Sequence, residues 1–156
     1  MDRSDPIEKL ASAIAEREGF AVSEAEAQAR GLGFPTRAQR NANPGNLRAW
    51  RDANGWAYPT TGGYVDFVAW ASTRFPGASR EEVSRRALQE GWRVLQVLIG
   101  QYLDGHYTGG QPPTLEQMFR RYAPAADRND PLAYARFVAA RLGLRPDQRP
   151  TDLLEA

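Results

Sequence analysis

The chain has 156 residues, with twenty Lys plus Arg against nineteen Asp plus Glu, one histidine and no cysteine. At this length a single domain buries roughly 70% of the surface that its unfolded chain exposes, so its core needs no disulfide or metal. The missing cysteines exclude thiolate metal sites, thiol nucleophiles and disulfides, and a lone histidine excludes a multi-histidine metal centre within one chain. We therefore expect one domain over residues 1–156, with no metal and no cofactor.

The charge balance and the hydropathy of the sequence limit its partners. A formal net charge of +1 argues against a dedicated nucleic-acid binder, which usually carries a strong excess of basic residues. No apolar run approaches the roughly 20 residues of a membrane span, and the start MDRSDPIEKL lacks the apolar stretch of a secretory signal. We expect a soluble protein without a signal peptide, without a membrane span and without a nucleic-acid partner.

Hydrophobic periodicity and turn residues organise the first 63 residues. A first helix with Pro6 in its first turn stops at Gly19. The stretch 22–40 is rich in Ala, Glu and Arg and fits either a polar helix or an irregular surface segment. Residues 41–63 contain Asn-Pro, Pro-Gly, Asn-Gly and Gly-Gly steps, which predict a structured loop or a small irregular hairpin.

Four further helices are predicted from residue 64 onward. One covers 64–72, and a long one opens with a capping box at Ser79. A short helix begins after Thr114, and the last helix follows Asn-Asp-Pro and stops at Gly143. Strand-like alternation is almost absent, so the fold class is mainly α.

The apolar face of the first helix ends in a carboxylate. Ile7, Ala11, Ile14 and Glu18 share one face, because spacings of four, three and four return to the same side of a helix. Partial burial and the negative end of the helix dipole would both raise the pKa of that carboxyl, as a general acid requires. In the alternative interpretation, Glu18 lies at a frayed helix end, turns into water and has no role.

The loop over 41–63 combines amides with aromatic rings. Amides donate and accept hydrogen bonds and rings offer flat apolar faces, which together suit the hydroxyls and CH patches of sugar rings. The residues concerned are Asn41, Asn43, Asn46, Trp50, Trp56 and Tyr58. They favour a saccharide groove. The alternative is a stiff loop whose asparagines cap its own backbone and whose tryptophans fill the core.

Six segments, in this order, carry a resemblance to a known family. They are EREGF at 16–20, RNANPGNLR at 40–48, GGYVDF at 62–67, EGWRVLQVLI at 90–99, TLEQMFRRYAP at 114–124 and NDPLAYARFVAARLGL at 129–144. Together they resemble the small phage and prophage virion proteins with a lysozyme-like fold, related to lytic transglycosylases, goose-type lysozymes and bacterial glucosaminidases. The resemblance covers nearly the whole chain, with a recognisable core over about 5–144.

This resemblance implies a mainly α, single-domain lysozyme-like fold with a peptidoglycan groove, in which the glutamate closing the first helix is the catalytic acid. That role falls to Glu18. The turn over 43–47 would line the groove, with Asn46 contacting the substrate or the glutamate and Tyr122 on the opposite wall. The implied partners are peptidoglycan strands and other virion proteins. The chain departs from the compact members over 63–90, where it carries additional sequence.

A second carboxyl group is common in glycoside hydrolysis, and the sequence offers no clear one. The candidates are Asp52, Asp66 and Glu90. Each has a structural alternative, respectively a turn aspartate, a helix cap and a salt-bridged surface glutamate. A single-glutamate site favours the lytic transglycosylase or goose-type route. There Glu18 protonates the glycosidic oxygen and then acts as base toward the sugar's own hydroxyl or toward water.

Three functions follow as hypotheses. The first is a phage-derived enzyme that cleaves the β-1,4 glycan of peptidoglycan, carried in a virion or held in the host cytoplasm before lysis. The second is a catalytically inactive virion structural or wall-binding protein with the same fold. The third, an Arg-bearing helical nucleic-acid binder, has the least support because the charges balance and the Asn-rich aromatic loop is no basic recognition helix.

Overall fold

The computed structural model describes residues 4–154, and its regular structure is mainly α, as the sequence predicts. The helices in this range are α1 (Ser4–Arg17), α2 (Glu24–Ala29), α3 (Arg37–Arg40), α4 (Phe67–Arg74), α5 (Arg80–Leu103), α6 (Leu115–Tyr122) and α7 (Pro131–Leu142). Two short strands, β1 (Thr60–Thr61) and β2 (Tyr64–Val65), form a hairpin, and 3-10 turns occupy Ala125–Asp127 and Pro150–Leu154. The described chain forms two compact units: unit 1 contains residues 4–17 and 96–154, and unit 2 contains residues 18–95.

Unit 1 is helical, and its core follows the predicted periodicity. Helix α7 packs against both α6 and α1. Thr114 and Gln117 form the predicted capping box of α6, Asp130 caps α7, and Gly143 ends α7 as predicted. The fully buried side chains include Leu10, Ile14, Leu115, Met118, Phe119 and Val138. Burial of these helix faces is the main stabilising contribution to unit 1.

Helix α5 is 24 residues long and contributes residues to both units. Its start agrees with the prediction, because the Ser79 hydroxyl accepts a hydrogen bond from the Glu82 N–H at 3.1 Å. The Glu82 carboxylate pairs with Arg85 at 2.6 Å and with Arg86 at 2.7 Å. These contacts and the glutamates of the first turn favour a helix beginning at this point.

Unit 2 has short helices joined by long irregular segments. Between residues 22 and 40, the structure contains two short helices, α2 and α3, each with a side-chain N-cap. Residues 41–59 form a loop, and the Gly62-Gly63 turn then pairs Thr60 with Val65 and Thr61 with Tyr64. The prediction of a structured loop or small hairpin over 41–63 is therefore confirmed in outline.

The predicted helix over 64–72 is wrong at its beginning. Tyr64 and Val65 form β2, and α4 begins only at Phe67. The physical reason is the cap, since Asp66 has an extended backbone and its Oδ1 accepts the Ala69 N–H at 3.0 Å. Residues 64 and 65 therefore pair with β1 in the hairpin and do not form the first turn of the helix.

Over residues 4–154, the structure contains no helix that combines the length and the apolar character needed to cross a bilayer.

Candidate functional site

Glu18 lies one residue beyond the end of α1, on a turn that side chains of unit 2 hold in place. Gly19 has φ of +81°, a backbone conformation that ends the helix at the predicted residue. The Thr36 hydroxyl donates to the Gly19 carbonyl at 2.7 Å, and Gln39 Nε2 donates to the Phe20 carbonyl at 3.1 Å. The partly buried Glu18 side chain is therefore attached to a fixed segment of backbone.

Gly91 of α5 allows the loop after α3 to approach that helix closely. A Cβ atom at Gly91 would lie 2.2 Å from the Ala42 carbonyl oxygen and 2.9 Å from Pro44 Cδ. The next residue, Trp92, packs edge-on against Phe20 with ring centroids 5.6 Å apart. Both the Asn-rich loop and the turn after α1 thus contact this part of α5. Sequence reasoning missed Gly91, although a glycine inside a long helical pattern is a recognised sign of close packing.

Asn43 is completely buried, and its amide is committed to the loop. Its Nδ2 donates to the carbonyl oxygens of Leu47 and Val65, both at 3.0 Å, and its Oδ1 accepts the Leu47 N–H at 3.0 Å. These bonds close the turn over 43–47 and tie it to β2. These contacts match the loop-stabilising alternative, and a contact between Asn43 and substrate stays a prediction.

Two other asparagines of the loop keep amide atoms without a hydrogen bond. Asn41 Nδ2 and Asn46 Oδ1 are buried and have no partner among residues 4–154. Asn46 has φ of +47°, and its backbone N–H donates to the Asn43 carbonyl at 2.9 Å. A buried polar atom without a partner lowers stability and calls for an explanation, such as a bound water or ligand. One donor and one acceptor therefore remain unused in the loop.

Trp56 lies at the end of a tight turn and is 75% exposed. Asp52 organises this turn, because its Oδ1 accepts the backbone N–H groups of Asn54 and Trp56, both at 2.9 Å. The Asp52 N–H also donates to the Trp56 carbonyl at 2.9 Å, and Arg51 donates to the Gly55 carbonyl at 2.9 Å. The structure thus assigns Asp52 the role of the turn aspartate.

Tyr58 is buried, and its hydroxyl faces a charged pair on α5. Arg93 donates to the Tyr58 oxygen at 3.4 Å and forms an ion pair with Glu90. Burial first, and then the negative charge of Glu90, raise the pKa of Tyr58, so the phenol is neutral. The Glu90 side chain is only 12% exposed, but it is paired as the salt-bridge alternative expects.

Both carboxylate oxygens of Asp66 accept hydrogen bonds that stabilise the local structure. Its Oδ1 caps α4, and its Oδ2 accepts the Thr61 hydroxyl at 2.7 Å. All three candidates for a second carboxylate therefore make contacts that match their structural alternatives.

Unit 2 contains an open groove of about 550 Å³ between the loop over 52–59 and α4. Trp56 and Tyr58 line it from the loop, and Trp70 and Arg74 line it from α4. A smaller cavity of about 200 Å³ shares Trp70 and includes Glu90 and Arg93. Glu18, Asn41 and Asn46 line neither cavity. Of the predicted residues, Trp56 and Tyr58 therefore line the groove, and Asn41 and Asn46 do not.

Tyr122 belongs to unit 1, at the end of α6. Its ring centroid lies 5.8 Å from Phe119, 6.0 Å from Tyr134 and 6.3 Å from Tyr102. It is thus a half-buried member of an aromatic cluster in that unit. Its position on the wall of a substrate groove stays a prediction.

Comparisons with family models, curated proteins and solved structures return no match to this chain. Within the described range, no group of three or more His, Asp or Glu side chains is arranged to hold a metal ion. The residues and their geometry are therefore the basis for assigning a function.

Proposed function

We propose that this chain cleaves the β-1,4 glycan backbone of peptidoglycan, with Glu18 as general acid on a lysozyme-like scaffold. The placement of Glu18 carries the proposal: the residue is partly buried and lies one residue after α1, on a turn fixed by Thr36 and Gln39. A general acid needs a positioned carboxyl group whose surroundings disfavour the charged form. The resemblance of the sequence to lysozyme-like virion proteins points to the same residue. That resemblance is also the basis for proposing a phage origin.

The contacts of the other carboxylates favour a single-glutamate mechanism. Asp52 and Asp66 accept backbone N–H groups, and Glu90 is paired with Arg93. In the proposed reaction, Glu18 donates its proton to the glycosidic oxygen as the bond from that oxygen to the anomeric carbon breaks. The resulting carboxylate then removes a proton from water, which gives hydrolysis, or from a hydroxyl of the same sugar, which gives an anhydro product.

The unused amide atoms of the loop support a polar ligand near this segment. Asn41 Nδ2 can donate a hydrogen bond and Asn46 Oδ1 can accept one, and the hydroxyl and acetamido groups of a glycan offer matching acceptors and donors. Both atoms are buried in the structure, so a ligand would reach them only if the loop that carries them rearranged. Asn43 acts in this proposal by holding the turn over 43–47.

The test is loss of turbidity of purified peptidoglycan with wild type, Glu18→Gln and Glu16→Gln. We expect wild type to clear the suspension and Glu18→Gln to lose at least about 100-fold in rate, because glutamine cannot donate the proton. Glu16 is a matched control in α1 whose carboxylate pairs with Arg141 at 2.7 Å, and its replacement should leave clearing unchanged. Clearing by Glu18→Gln at the wild-type rate would contradict the proposal.

A second candidate function is wall binding without catalysis by a virion structural protein. The observation in its favour is the aromatic groove, which Glu18 does not line. In that case wild type and Glu18→Gln would both sediment with insoluble peptidoglycan, and neither would clear it.

A further inference from the structure

We propose that the open groove between the loop over 52–59 and α4 is a saccharide-binding site separate from Glu18, with Trp56 as the platform for a pyranose ring. The volume of about 550 Å³ lies within the range of small-ligand sites, about 300 to 1,000 Å³. The class of glycan, β-1,4-linked and N-acetylated, rests on the proposed function. The existence of the site rests on the groove itself.

The aromatic side chains of the groove provide apolar surface of two kinds. Trp56 is 75% exposed, so most of its large apolar side chain is accessible to a ligand. Tyr58 and Trp70 lie deeper, with ring centroids 6.0 Å apart and planes inclined at 44°. A sugar ring presents a face of CH groups that fits such a flat apolar surface, while its hydroxyls remain at the edge.

Polar side chains surround these rings. Asp52 and Asn54 line the groove beside Trp56, and Thr73 and Arg74 line it from the end of α4. A carboxylate, an amide, a hydroxyl and a guanidinium together supply donors and acceptors, which neighbouring sugar hydroxyls require. An apolar peptide or helix would leave these groups unpaired on binding, which is costly. The composition of the groove therefore favours a saccharide over an apolar protein segment.

The platform is held in place before any ligand binds. Trp56 is fixed through both its N–H and its carbonyl group, each of which bonds to Asp52 at 2.9 Å. The bridge between Arg51 and Ala57 closes the base of the same turn. Such preorganisation reduces the entropy lost on binding, which matters for a weak ligand such as a sugar.

The test is NMR titration of the 15N-labelled Glu18→Gln variant with tetra-N-acetylchitotetraose. The chain has four tryptophans, so each indole N–H serves as a local reporter. We expect the indole signals of Trp56 and Trp70 to shift. The indole of Trp92, which packs against Phe20 outside the groove, should stay in place.

Two matched variants sharpen the result. Trp56→Ala should weaken binding by about tenfold or more, since it removes the stacking surface. Phe34→Ala removes another exposed ring, 47% exposed and outside the groove, and should leave the affinity unchanged. Equal affinities with and without Trp56→Ala in the Glu18→Gln background would overturn the proposal, as would an absence of indole shifts up to about 10 mM ligand.

The outcomes separate this inference from the proposed catalysis. Shifts confined to the amides around Glu18 and Asn46 would overturn the groove site and leave the proposed function standing. Shifts at Trp56 and Trp70, combined with a wild type that clears no peptidoglycan, would support the groove site and contradict the proposed enzyme. Capture of a protein partner by Trp56 without any response to the sugar would also overturn the saccharide assignment.

Discussion

Unit 1 and unit 2 differ in what they bury. The buried side chains of unit 1 are aliphatic and aromatic, whereas the buried polar residues Thr36, Asn41 and Asn43 all belong to unit 2. The helices of unit 1 satisfy their own backbone groups, so their packed faces can be apolar. The irregular backbone of unit 2 needs hydroxyl and amide side chains as partners. The candidate site therefore depends on hydrogen bonds made by side chains, not on a hydrophobic face alone.

The largest expected effect on stability compares two glycines of α5. Gly91→Ala should lower the free energy of unfolding by about 3 kcal/mol, because the new Cβ would lie 2.2 Å from a backbone oxygen that cannot move away cheaply. For Gly100, in the unit 1 part of the same helix, such a Cβ would meet the Ile7 Cδ1 atom at an ordinary contact distance of 3.9 Å. Gly100→Ala should therefore raise stability by about 0.5 to 1 kcal/mol.

Urea unfolding followed by circular dichroism measures both variants. Equal stability of Gly91→Ala and wild type would show that the loop after α3 is free to move off α5. In that case close packing against α5 would not hold the candidate site in place.

Asn43→Ala tests the buried polar network directly. The replacement removes three hydrogen bonds and leaves the Leu47 N–H and two carbonyl groups without their partner, so we expect a loss of about 2 to 3 kcal/mol. Asn54→Ala is the matched control, since this asparagine is exposed and its replacement should change stability by less than about 0.5 kcal/mol. Thermal unfolding of the two variants provides the comparison. A loss no larger than that of Asn54→Ala would contradict the role assigned to Asn43.

The core of unit 1 should respond to high pH through Tyr102. Burial raises the pKa of Tyr102 to about 12, against about 10 in the unfolded chain. Above pH 10 the unfolded state loses this proton while the folded state keeps it, so stability falls as pH rises toward 12. We expect wild type to lose roughly 2 kcal/mol more than Tyr102→Phe over this interval. Urea unfolding at about pH 9 and about pH 12 measures the difference, and parallel curves would contradict the assignment.

Replacement of Asp66 should have the smallest effect on stability of the four sites, and it also tests whether this carboxylate takes part in catalysis. Asp66→Ala should cost about 1 kcal/mol through loss of the α4 cap, while Asp66→Ser keeps an N-cap oxygen and should cost less. Because the carboxylate is assigned a structural role, Asp66→Ser should clear peptidoglycan at the wild-type rate. Loss of clearing with intact stability would instead make Asp66 the second carboxylate.

Sequence reasoning described unit 1 better than unit 2, for a physical reason. Helical periodicity and caps are local, so the helix ends at Gly19 and Gly143 and the capping box at Thr114 could be predicted. The beginning of α4 could not, because residues 64 and 65 are fixed by pairing with β1. Pairing partners are not visible in a short apolar run.

In the candidate site, too, contacts between residues far apart in the sequence could not be predicted. The loop was recognised by composition, but composition cannot tell a loop-stabilising asparagine such as Asn43 from one that keeps an unused amide atom, such as Asn46. The bond from Asn43 to Val65 joins residues 22 positions apart. The groove that Trp56 and Tyr58 line likewise depends on how α4 meets the loop.

The central claim is that Glu18 is the acid of a glycan-cleaving reaction, and the most direct measurement is mass spectrometry of the soluble products from purified peptidoglycan. We expect new glycan ends with wild type, either reducing or anhydro, and none with Glu18→Gln. Reducing ends would indicate hydrolysis and anhydro ends transglycosylation. The same new ends released by Glu18→Gln, or only peptide fragments released by wild type, would contradict the account.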